Sequence, residues 1–147
     1  MRIAIGSDHA GFDLKEELKK FLEKEGYEVK DFGCYSKDSV DYPDIALLLC
    51  EAVRKGECEK GILLDGTGGG MTMTANKIKG IRAVCVYNEM TARYASEHDD
   101  CNVLCIGAKM VGDLLAKEMV KLWLTTPFGG GRHERRLNKV KRIEEMY

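Results

Sequence analysis

Two short segments carry side chains whose types and spacing could do chemistry. Ser7-Asp8-His9 closes the apolar run that begins the chain, and Asp65-Gly66-Thr67-Gly68-Gly69-Gly70 closes another. A carboxylate next to an imidazole can move protons or orient hydroxyl groups. A glycine-rich loop that opens a helix presents unpaired backbone N–H groups at the positive end of the helix dipole, which suits an anion or a developing oxyanion. The missing side chains also let a ligand approach the backbone closely. The loop lacks the Lys-Ser/Thr ending of a P-loop, and Met71 stands where a dinucleotide-binding G-x-G-x-x-G needs its last glycine. The residues alone leave two readings, ligand contact or a purely structural tight turn; Asp8-His9 facing the loop favours contact.

The other chemical groups lie later in the chain. His98 sits in Glu97-His98-Asp99-Asp100, which reads either as a solvated helix end or as a metal site, although a tetrahedral or octahedral ligand spacing is missing. The tail carries Arg132, His133, Arg135, Arg136, Lys139, Lys141 and Arg142. Arg132 and Arg136 are i,i+4 on one helix face, where two guanidinium groups can grip a phosphate. A solvated face balanced by Glu134, Glu144 and Glu145, or a small nucleic-acid patch, are the alternatives for the same residues.

The elements that must position these groups alternate strand and helix. Arg2–Ser7 is a β-branched run, and Gly11 to Gly26 carries Phe12, Leu14, Leu18, Phe21 and Leu22 at helical spacing, with Gly26 as the stop. Strands follow at Tyr27–Phe32, Gly61–Leu64, Arg82–Val86 and Val103–Gly107; helices at Ile45–Gly56, Met71 to about Ile78, Thr91–Glu97 and Gly112–Leu124. Residues 127–131 form a Pro-Phe-Gly-Gly-Gly hinge before a basic helix from Arg132. Five βα units in series predict one α/β domain over residues 1–147, a three-layer αβα sandwich with a five-stranded, doubly wound parallel sheet of Rossmann type. Ligands in such folds bind outside the carboxyl ends of the strands, at the switch point. With the strand order 2-1-3-4-5, strands one and three flank it, and the two loops singled out above are the ones that leave those strands. His98, after a helix that descends from the carboxyl edge, is then far from Asp8 and Asp65 within one subunit. Arg132 and Arg136 share this difficulty, so these residues are expected to complete the site of a neighbouring subunit.

Composition excludes several classes. The 147 residues carry 23 Lys+Arg against 24 Asp+Glu, a net charge of -1, which argues against a protein that coats nucleic acid or anionic membrane. No apolar run reaches the ~18 residues of a membrane span, and the start turns polar too early for a signal peptide, so the expected address is the cytoplasm. The six cysteines form no C-x-x-C pair and are expected as reduced thiols, with Cys50, Cys85 and Cys105 acting as small buried hydrophobes.

Together the motifs resemble those of the type B ribose-5-phosphate isomerases and the wider family of sugar-phosphate isomerases that includes galactose-6-phosphate isomerase. The resemblance runs the whole length, through Gly6–Gly11, Asp41-Tyr42-Pro43, Gly66-Thr67-Gly68 with Ala75-Asn76-Lys77, Gly80–Ala83, His98 with Asn102-Val103, and Gly130–Arg136. It implies interconversion of an aldose phosphate and a ketose phosphate through an enediol, ribose 5-phosphate to ribulose 5-phosphate first among the candidates, with no metal or other cofactor. The family's Asp-His pair falls on Asp8 and His9, its tyrosine on Tyr42, its enediolate cradle on Gly66, Thr67, Gly68, Gly69 and Gly70, its ring-opening histidine on His98 and its phosphate-gripping arginines on Arg132 and Arg136. It also implies a homodimer with sites at the interface and leaves open whether dimers pair into tetramers.

Four positions depart from that pattern. A cysteine base before Gly-Thr-Gly in many members is Asp65 here, and the glutamate base of other members is Met71. The asparagine after the ring-opening histidine is Asp99, and an arginine after strand five is Lys109. A carboxylate needs no activation to accept a proton but is a weak base unless burial raises its pKa. Asp65 is therefore expected to serve as the base; the alternative is an aspartate that only caps the following helix. The competing class is a flavodoxin-like binding module that has lost its catalytic cysteine.

Overall fold

A computed structural model describes residues 1–147. The strands are β1 (Arg2–Ser7), β2 (Glu28–Asp31), β3 (Lys60–Asp65), β4 (Ala83–Cys85) and β5 (Val103–Gly107). The helices are α1 (Phe12–Lys24), α2 (Tyr42–Arg54), α3 (Gly69–Ala75), α4 (Glu89–Glu97), α5 (Asp113–Thr125) and α6 (Arg132–Met146), and one 3-10 turn at His9–Gly11 leads into α1. All four strand pairings are parallel. No helix is long and apolar enough to cross a membrane.

The sheet order is β2-β1-β3-β5-β4, which corrects the expected 2-1-3-4-5. Burial explains the exchange of the last two strands. Every residue of β5 is buried, so it belongs inside the sheet, whereas β4 pairs through only three residues and is partly exposed, as an edge strand should be. The switch point between β1 and β3 is unaffected. The new order matters to the site, because Gly107 at the end of β5 now lies directly beside Asp65 at the end of β3.

Helices cover both faces. One face packs α1, α4 and α5 over Ile3, Ile5, Ile62, Leu64, Leu104 and Ile106, with Trp123 wholly buried among them. The other packs α2 and α3 over Ala4, Leu63, Val103 and Cys105, with Met71 filling the space beneath the glycine loop. The alternation of strand residues between these two cores follows the period of two. The tail helix α6 has no buried residue. All six cysteines are free thiols; Cys50 and Cys105 are fully buried, but Cys85 is only half-buried, contrary to expectation, because it lies on the short edge strand.

Candidate active site

The carboxyl ends of β1, β3 and β5 bring one group of expected residues together. Asp65 is buried, and its two oxygens accept from the loop that follows, Oδ1 from the Gly68 amide at 2.6 Å and Oδ2 from the Met71 amide at 3.2 Å. These are the bonds of a capping aspartate, so the capping geometry exists whether or not the group also reacts. The Gly69 amide donates to Thr67 Oγ1 at 3.3 Å. The amides of Gly66, Thr67 and Gly70 find no acceptor in the chain and remain available as a donor set.

Gly68 has φ +89°, and a Cβ there would lie 2.5 Å from Cys85 Sγ, so the turn needs glycine twice over. Gly70 is covered by Tyr42: a Cβ at Gly70 would sit 2.6 Å from its ring. Pro43 in the first turn of α2 fixes that start, and with it Tyr42 against the loop. On the other side of the loop the stem of Lys109 runs along Gly66, 3.6 Å from where a Cβ would be, and the Lys109 amide donates to Gly66 O at 3.0 Å.

Across the switch point stands Asp8. It is buried, its Oδ1 accepts from the Ala10 and Gly11 amides at 3.0 and 3.2 Å, and its own amide donates to Leu64 O at 3.1 Å. Gly11 is required by the close approach of Leu64, whose O would be 2.8 Å from a Cβ. His9 is exposed, and its Nδ1 accepts from the Val40 amide at 3.3 Å. Burial pushes the Asp65 carboxyl above its ordinary range; the Met71 and Gly68 amides pull it down, and the negative charge of Asp8 pushes it up further.

The second group lies elsewhere. His98 ends α4, Asp99 follows it, and both precede β5 at the amino edge of the sheet. The His98 ring is stacked between Tyr94 and His133, at 4.0 and 4.1 Å between centroids. His133 belongs to the first turn of α6, so Arg132 and Arg136, both exposed, are carried to the same edge. Burial raises the Asp99 carboxyl, opposed by the charges of His98 and His133. Burial together with His98, Arg132 and Arg136 lowers His133. The expected separation of His98, Asp99, Arg132 and Arg136 from Asp8, His9, Tyr42, Asp65, the five glycine-loop residues and Lys109 is what the fold displays.

His133 had no assigned role in the sequence reading; its place inside the Arg132–Arg136 motif was the available signal. Val40, against His9, was also missed, having no local pattern to mark it, and Cys85, expected only as a buried hydrophobe, lies under Gly68. A cleft of about 750 Å³ lies between α6 and β4, with Asp99, Phe128 and Leu137 on its walls, and none of the Asp65 group lines it. No cluster of three or more His, Cys, Asp or Glu side chains is arranged to hold a metal ion.

Comparison with known proteins agrees with this architecture. The family model described as Ribose/Galactose Isomerase matches residues 3–140. Ribose-5-phosphate isomerase B of Escherichia coli (strain K12) is 43% identical over 144 residues, covering 98% of this chain and 97% of that protein. The structure of Clostridium thermocellum ribose-5-phosphate isomerase B superposes with a TM-score of 0.99 at 50% identity, over 100% of this chain and 99% of that one. That of the Mycoplasma genitalium ribose-5-phosphate isomerase B with bound ribulose-5-phosphate gives 0.95 at 40% identity, over 99% and 97%. The chain belongs to the ribose/galactose isomerase family.

Proposed function

We propose that this protein is an aldose–ketose isomerase acting on a phosphorylated sugar, with ribose 5-phosphate and ribulose 5-phosphate as the preferred pair. The observation that carries the reading is the buried Asp65 carboxylate placed beside three unpaired amides at the switch point. A base must reach the C–H next to the carbonyl, and the enediolate that results needs donors on its oxygen. Asp65 takes the proton from C2 of the open-chain aldose and returns it to C1, while the hydroxyl proton passes from O2 to O1. The amides of Gly66, Thr67 and Gly70 hold the enediolate oxygen, and Gly68 and Gly69 shape the loop. The burial that raises the Asp65 pKa strengthens it as a base.

The remaining roles are those that the resemblance to the family implies for these positions. Asp8 and His9 hold sugar hydroxyl groups from the β1 side, Tyr42 closes the site over Gly70, and Lys109 brings a positive charge over Gly66. His98 protonates the ring oxygen to open the cyclic sugar, Asp99 orients the substrate, and Arg132 and Arg136 grip its phosphate. None of these steps calls for a metal or other cofactor.

One subunit does not assemble this set. The β5 strand alone separates the two edges by four residue steps, about 13 Å. We therefore place His98, Asp99, Arg132 and Arg136 in the site of a second subunit, in a homodimer whose two sites are shared. Residues 1–147 act as one domain, residues 127–147 being the hinge and the tail helix that reaches the interface. The reduced thiols fit a cytoplasmic address.

The family description names both ribose and galactose substrates. A coupled assay with ribose 5-phosphate, run beside galactose, allose and tetrose phosphates, tests the reading. Ribose 5-phosphate should give the highest kcat/KM; higher turnover of another sugar reassigns the substrate, and turnover of none leaves a binding module.

A further inference from the structure

Lys15 is the only one of the 23 lysines and arginines that is buried, and no step above uses it. It lies in the first turns of α1, and its ammonium is 0% exposed. All three of its donors are taken: Asp31 Oδ1 at 2.8 Å, Asp31 Oδ2 at 2.7 Å and Cys34 O at 2.7 Å. Lys19, one turn on, adds a bond to Asp31 Oδ2 at 2.8 Å. Enclosing an ammonium costs much of its hydration, and buried ion pairs are often replaced by apolar residues with no loss of stability. The arrangement is better understood by what it holds in place.

What it holds is the end of β1. Asp31 Oδ1 also accepts from the Gly33 amide at 2.8 Å. Gly33 O then accepts from the Ser7 amide, and the Cys34 amide donates to Ser7 O, both at 2.7 Å. Two short backbone bonds therefore bracket the residue before Asp8, made by the two residues that Lys15 and Asp31 grip. The next amide, that of Asp8, bonds to Leu64, the residue before Asp65. The same loop runs on to Val40, whose amide reaches His9.

We infer that Lys15 and Asp31 are positioning residues: the ion pair ties the start of α1 to the loop after β2 and thereby sets the distance between the Asp8–His9 wall and the Asp65 carboxylate. This rests on reading that wall and Asp65 as two sides of one substrate cleft. A displacement of about 1 Å in such a site can cost roughly a hundredfold in rate.

The test uses the full-length protein with Lys15→Met and with Lys15→Met/Asp31→Asn, the second of which leaves no buried charge unpaired should the first fail to fold, Lys19 keeping its ion pair with Glu16 at 3.6 Å. With circular dichroism confirming a folded chain, KM for ribose 5-phosphate should rise about tenfold and kcat/KM fall about a hundredfold. The double variant should be no worse than the single one, since both break the same contact. A folded double variant with wild-type KM overturns the inference, whatever its melting temperature. Should the wild type turn over no sugar phosphate, the functional reading fails by itself. Amide hydrogen exchange at Ser7 and Asp8 then decides the present point: at least about tenfold faster exchange in the variant supports it, and unchanged exchange overturns it.

Discussion

The imidazoles of His98 and His133 stack with centroids 4.1 Å apart and planes 13° from parallel. Tyr94 covers the other face of His98. Three rings in a column bind the end of α4 to the first turn of α6, so His98, Arg132 and Arg136 form one unit at the amino edge of the sheet. The Gly129 amide, bonded to Glu97 O at 2.9 Å, holds the hinge to the same place. The tail therefore docks on the body of its own chain and leaves Arg132 and Arg136 exposed.

Shared sites make a sharp expectation for mixed chains. Neither Asp65→Asn nor His98→Ala should be active alone. Unfolded together and refolded at equal amounts, they should regain about a quarter of wild-type turnover, because half the dimers are mixed and each mixed dimer holds one intact site. A mixture as inactive as its parents contradicts sharing.

The Asp65–Asp8 relationship should show in the pH profile. Burial, with the Asp8 charge adding to it, holds the Asp65 carboxyl above the ordinary 3.8. The acid limb of kcat/KM should accordingly lie above that value. Asp8→Asn removes a negative neighbour and should move the limb to lower pH, however much activity it also loses. A limb that stays in place shows that another group controls it.

Gly68→Ala combines two penalties. The left-handed φ of +89° costs a residue with a Cβ about 1–2 kcal/mol, and the new methyl would meet Cys85 Sγ at 2.5 Å. Melting temperature should fall and KM should rise, since the Gly68 amide bonded to Asp65 moves with the loop. Adding Cys85→Ala should restore part of the stability, removing the clash but not the backbone strain. No recovery in the double variant would show that strain alone accounts for the loss.

Asp31 should make stability pH-dependent in acid. Burial pushes its pKa up, but the bonds from Lys15, Lys19 and Gly33 outweigh burial and leave it below 3.8. A group depressed on folding contributes stability above its unfolded value and loses it as pH falls through the folded one. The melting-temperature gap between wild type and Asp31→Asn should therefore be widest near neutrality and close below about pH 3.8. A gap independent of pH would mean that Asp31 acts by shape and not by charge.

Much of this was legible in the chain before folding. Gly61–Leu64 and Val103–Gly107 are unbroken apolar runs, and both proved to be interior strands. The two loops at the switch point stood out because Asp8-His9 and the glycines have no structural need to occur together. The position of β4 was not legible: Ala83–Val86 is as apolar as a central strand, and only its three-residue pairing and partial exposure put it at the edge. Lys15 gives no local sign of burial, because its partner Asp31 is 16 residues away. The His98–His133 stack joins residues that only the α6 hinge brings together.

Asp65 as the group that moves the proton is tested most directly by Asp65→Asn, which keeps the size of the side chain and one carbonyl oxygen for the closer Gly68 amide, while the Met71 amide loses its acceptor. kcat for ribose 5-phosphate should fall at least about a hundredfold with KM little changed, and deuterium from D2O should no longer appear at C1 of the ketose product. Near-wild-type kcat in that variant would mean that the carboxylate caps the loop and does no chemistry.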